Sequence, residues 1–106
     1  MLNLESYGAR QHLHSSATQC ILETYIPEGL TLEQHEHTYD HFSVVVDGLV
    51  SVSVDGATSI HAKGAIINVA RGKKHSVLAL EDSIWLCIHN VGEETVDALE
   101  IRVVKK

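Results

Sequence analysis

The sequence predicts an all-β fold, a small sandwich or jelly-roll barrel, and three observations lead there. Helix-period patterning is almost absent. Short runs rich in Val, Ile and Thr fill most of the chain. Gly and Asp-Gly turn signals separate those runs at short intervals, the rhythm of strands joined by tight turns. With 106 residues the chain has the length of one domain, expected to cover residues 1–106.

The strands are expected at about 17–26, 30–37, 41–47, 49–54, 57–62, 65–69, 74–80, 83–90 and 95–104, with residues 1–14 able to add an edge strand. Pro27, the only proline, falls between the first two of these runs, where a missing N–H does no harm. Val50-Ser51-Val52-Ser53-Val54 alternates strictly and runs into Asp55-Gly56, a pair suited to a two-residue type I′ hairpin turn. Asp47-Gly48 marks a turn just upstream, and Ala62-Lys63-Gly64 another downstream. Two runs, Val44-Val45-Val46 and Ile84-Trp85-Leu86-Cys87-Ile88, are apolar at consecutive positions and so need cover on both faces. One small barrel covers only one of them, and a homodimer through sheet faces is expected.

Composition narrows the function. The hydrophobic fraction of 44% and charged fraction of 21% are those of a folded globular chain. A net charge of −6 with eight Lys and Arg leaves no basic face for phosphates, so no nucleic-acid partner is expected; Lys73, Lys74, Lys105 and Lys106 make only two small clusters. No apolar run reaches the ~18 residues of a membrane span, and no signal-like start is visible, so the expected location is cytoplasmic, with no membrane partner. Cys20 and Cys87 lie in apolar strand-like runs and read as buried thiols of a reducing compartment. Cys87 also shares strand parity with His89, which leaves open a place beside a histidine-lined cavity.

The chemistry concentrates in His35-Glu36-His37-Thr38-Tyr39-Asp40-His41, joined later by His75. Neutral imidazole is the commonest protein ligand for transition metals. On a strand, His35 and His37 project to one face roughly 6.5–7 Å apart, close enough to lean onto one ion, while Glu36 points away. Thr38-Tyr39-Asp40 reads as a bend that returns His41 to the next strand, and His75 closes the site from a distant one. Asp40 would replace His41 if the register slipped by one. His12 and His14 form another His-x-His pair without flanking glycines and read as edge-strand residues; His61 reads as a surface residue. His89 stands between a place near the cavity and a core hydrogen bond.

At this point the sequence resembles a cupin. That family's first motif is Gly, five residues, His-x-His, three or four residues, Glu, six residues, Gly; here Gly29, His35, His37, His41 and Gly48 hold those places. Its second motif is Gly, five residues, Pro-x-Gly, two residues, His, three residues, Asn; here Gly64, Ala70, Gly72, His75 and Ala79 hold them. The motifs span residues 29–48 and 64–79, about half the chain. The resemblance implies a jelly-roll β-barrel (double-stranded β-helix) with one divalent transition-metal ion, Fe, Mn, Ni, Cu or Zn, on His35, His37, His41 and His75. His41 stands where the family has Glu, which leaves the first shell of a divalent ion at +2 rather than +1. Ala70 and Ala79 replace Pro and Asn at turn and structural positions.

Cupins include dioxygenases, isomerases, lyases, cyclases and pure binding proteins, so the fold does not set the reaction. Four histidines on an octahedral ion leave two positions open, enough for a bidentate substrate or for substrate plus dioxygen. The leading expectation is therefore a metal-dependent enzyme acting on a small oxygen-donor substrate, with dioxygenase-type oxidoreductase chemistry. Its alternatives are a small-ligand binding or sensor protein with a structural metal, and a zinc cyclase or isomerase. Ser51, Ser53, Tyr39 and His89 are candidates to support the site from behind. An aromatic fraction of 5% favours a small ligand over a stacked one.

Overall fold

The computed structural model describes residues 8–34, 40–90 and 101–105. Ten strands follow in order: β1 (Arg10–Ser15), β2 (Gln19–Ile26), β3 (Leu30–Gln34), β4 (His41–Asp47), β5 (Leu49–Val54), β6 (Ala57–Ala62), β7 (Ile66–Val69), β8 (His75–Ala79), β9 (Ser83–Asn90) and β10 (Ile101–Lys105). They form two five-stranded antiparallel sheets, ordered β1-β2-β9-β4-β7 and β10-β3-β8-β5-β6. From β2 onward every connection except the β5–β6 hairpin passes from one sheet to the other. This crossing is the jelly-roll pattern, and it brings residues far apart in sequence to the same end of the molecule.

Alternation decides which side chains meet between the sheets. Leu22 and Ile26 of β2, Val45 of β4 and Trp85 of β9 face Leu32 of β3, Val50 and Val52 of β5 and Val77 of β8 in one buried cluster. Hydrophobic burial of this kind, at roughly 25 cal/mol per Å² of apolar surface, is what holds the sheets face to face.

Turn chemistry sets the register. Asp55 and Gly56 both have positive φ, 48° and 85°, as a type I′ turn requires, and Val54 pairs with Ala57 across it. That hairpin is tied to the loop before β8: Asp55 N–H donates to the Lys74 carbonyl at 3.0 Å, and Lys74 N–H donates to Asp55 Oδ1 at 3.1 Å. Gly48, with φ 92°, carries the crossing from β4 to β5, next to a bulge between Val45 and Asp47.

Strands at 41–47, 49–54, 57–62 and 83–90 match the expected ranges. β2 starts at Gln19 rather than 17 because Ser16 Oγ accepts from the Thr18 and Gln19 N–H groups, at 3.4 and 3.1 Å, and holds those residues in a turn. β3 is described to Gln34; residues 35–37 of the expected strand lie outside the described residues, as do 95–100 of the last one. Among the described residues no helix is long and apolar enough to cross a membrane.

Candidate metal centre

Inward-facing positions at one end of the sandwich carry the candidate donors. His41 is the first residue of β4 and His75 the first of β8, whereas Cys87 and His89 close β9 on its inner face. Antiparallel pairing of β4 with β9 matches Ser43 to Cys87, so Cys87 and His89 stand on the same face as His41. All four side chains are buried; the three histidines are 3–4% exposed.

The rings are close. His41 stacks on His89 with centroids 4.7 Å apart and an interplanar angle of 26°, and lies 5.4 Å from His75, which approaches from the other sheet. One ligand atom from each of His41, Cys87 and His89 lies within 4.8 Å of the other two. Bonds of ~2.0–2.3 Å from a tetrahedral ion to nitrogen and sulfur place donors roughly 3.3–3.8 Å apart, so a contraction of at most about 1.5 Å brings these three onto one ion. Three buried donors of these types could hold a metal, and the residues fit such an ion in kind.

Four histidines were expected to form the site. Of these, His41 and His75 come together here. His35 and His37 lie outside the described residues; the described positions on either side of them, Gln34 and Asp40, both stand at this end, Gln34 paired with His75 and Asp40 Oδ1 accepting from Arg71 N–H at 2.8 Å. Asp40 itself is exposed, and the inward position belongs to His41. His89 and Cys87, left open by the sequence, line the interior beside His41. The signal that finds them is the shared parity of Trp85, Cys87 and His89. Ser51 and Ser53 do not back the histidines: Ser53 pairs with Ser76 and Ser51 with Leu78 on the outer face of their sheet, because Val50 and Val52 take the inner one. Tyr39 lies outside the described residues.

The remaining histidines sit elsewhere. His12 and His14 are exposed on β1, with His14 Nε2 2.9 Å from Glu23 Oε1, and His61 Nε2 lies 2.8 Å from Ser59 Oγ. On the outside, next to His75, a groove of about 410 Å³ is lined by Glu33, Ser53, Asp55, Lys74 and Ser76 among others. Its lining carries one ammonium, two carboxylates and two hydroxyls, a mixed polar surface.

No family model and no curated protein matches the sequence. Solved structures do match the fold. A cupin described as RmlC-like from Shewanella frigidimarina is 18% identical with a TM-score of 0.74 over 86% of this chain and 81% of its own. KdgF from Halomonas sp. is 20% identical with a TM-score of 0.72 over 87% and 84%. A second RmlC-like cupin, from Desulfovibrio desulfuricans, is 23% identical with a TM-score of 0.70 over 83% and 87%. At these identities the likeness is one of fold.

Proposed function

We propose that this chain, which has the cupin fold, is a divalent-metal protein acting on a small oxygen-donor molecule, with dioxygenase-type oxidation as its reaction. The reading rests above all on the gathering of His41, His75, His89 and Cys87, all buried, at one end of the sandwich. When bound, a transition ion supplies Lewis acidity toward an oxygen donor and, if redox-active, access to dioxygen chemistry. The chain's own contribution is placement. His41 and His75, with His35 and His37, are the proposed ligands, and the Asp55–Lys74 hydrogen bonds fix where β8 and its histidine begin.

Chelator-free protein is expected to carry stoichiometric metal by elemental analysis, and His41→Ala to lose it. Protein loaded with Fe(II), Mn(II), Ni(II) or Cu(II) is expected to consume oxygen with at least one member of a diketone, flavonol and catechol panel. Metal retained in His41→Ala would sink the assigned centre. No oxygen uptake in any loaded form would sink the oxidation and leave a second reading, a binding protein with a structural metal.

The homodimer and the cytoplasmic location belong to the same proposal. On the outer face of the first sheet, Ile21, Ile88 and Phe42 form one cross-strand row, and Leu86, Val44 and Ile66 another. Phe42, Val46 and Ile66 are 55%, 41% and 69% exposed, an apolar surface that a second copy of the chain would cover. Two buried cysteines not joined by a disulfide suit a reducing compartment.

A further inference from the structure

We infer that Cys87, grouped with His41 and His89, joins the proposed histidine ligands of the metal centre as a thiolate and supplies the negative charge that imidazoles lack. The inference rests on the proposed metal-binding reading and names the donor that sets the metal's charge and preference. Neutral histidines alone leave a buried dication at +2, and an uncompensated charge in a dry interior is strongly disfavoured. A carboxylate would relieve this, yet the described carboxylates at this end stand outside the buried donor cluster. Asp40 is exposed and accepts from Arg71 N–H. Asp55 lies 3.2 Å from Lys73 Nζ, and Glu33 pairs with Ser76 on the outer face of its sheet. Cys87 is fully buried, and its sulfur belongs to the same group of donors as His41 and His89.

Local geometry supports the charged form. Ser43 Oγ donates to Cys87 Sγ at 3.7 Å, and Ser43 is itself fully buried, so the hydroxyl dipole is held against the sulfur without competition from water. On binding, the S–H bond breaks, its proton passes to solvent, and the sulfur lone pair forms the bond to the ion, with no change of oxidation state. A shell with one thiolate is softer than one of imidazoles alone and selects Zn, Co, Cu or Fe over Mg and Ca. Cys20, the other thiol, is buried on β2 as the cross-strand partner of His89 and serves as the internal control.

Co²⁺ titrated into metal-free protein tests this, because sulfur-to-cobalt charge transfer gives a near-ultraviolet band that nitrogen and oxygen ligands do not. The band is expected in the wild type, in Cys20→Ser, whose only thiol is Cys87, and not in Cys87→Ser, which is expected to bind Co²⁺ more weakly. The Cys20→Ser spectrum carries the assignment even where Cys87→Ser folds poorly. Stoichiometric Co²⁺ binding without the band in wild type, or a band surviving in Cys87→Ser, overturns thiolate ligation and leaves the metal-binding reading in place. No Co²⁺ binding by the wild type overturns both.

Discussion

At position 48 the backbone leaves no room for a side chain. A Cβ there would run into Ser83 Oγ and the Asp82 carbonyl, and φ is 92°, a region that side chains rarely adopt. Ser83 is fixed on its own account: Oγ accepts from Leu49 N–H at 3.1 Å and donates to the Glu81 carbonyl at 2.7 Å. With neither neighbour free to retreat, Gly48→Ala is expected to destabilise the fold by roughly 1–3 kcal/mol, read as a lower denaturant midpoint at unchanged m-value. A midpoint equal to wild type would show that the β4–β5 crossing yields more easily than these bonds imply. The site was unevenly legible at this scale. His41 could be singled out because its spacing from His35, His37 and the two glycines is local. Cys87 and His89 could not be placed, since their standing beside His41 depends on β9 being the neighbour of β4, and strand order is a non-local property.

At the scale of the element, β9 carries two surfaces at once. Its inner face presents Ser83, Trp85, Cys87 and His89, running from the β4–β5 turn through the core to the cluster of candidate metal donors. Its outer face presents Ile84, Leu86 and Ile88. Trp85 is the largest fully buried side chain, and among the described residues its Nε1 meets no acceptor. Trp85→Ala is expected to cost about 3–5 kcal/mol through the cavity it leaves. Trp85→Phe should cost distinctly less, because a buried N–H without an acceptor already costs about 1–3 kcal/mol that phenylalanine does not incur. Chemical denaturation of the two variants measures both losses; a Trp85→Phe loss above about 3 kcal/mol would mean that the indole N–H has an acceptor. β9 also shows why most strand boundaries could be read in advance: an apolar run ended by Glu81-Asp82 on one side and Asn90 on the other has one natural span. β2 starts two residues later than its apolar pattern suggests, because a serine turn leaves no mark on hydrophobic periodicity.

For the whole molecule, the two faces of the first sheet differ in what covers them. The inner face packs on the second sheet in a single core, whereas the outer face keeps Phe42 and Ile66 largely in water. Consecutive apolar residues in β4 and β9 forecast such a two-sided strand, though which outer positions would stay exposed depended on the pairing of β4 with β7, which the sequence pattern does not reveal. A two-fold interface on this face sets the same rows against each other in both copies, which makes the surface its own complement. Burying one large apolar side chain contributes roughly 1.5–3 kcal/mol, so Phe42 and Ile66 from two copies could anchor such an interface. The wild type is expected to sediment with the mass of two chains, and Phe42→Glu with Ile66→Lys to give one chain that keeps its β-sheet circular dichroism and its metal. The changes lie on the far side of β4 and β7 from His41, so metal content should not follow the mass. A monomeric wild type would leave the apolar face to another partner; a double variant that loses metal along with its mass would mean that the centre is completed across the interface.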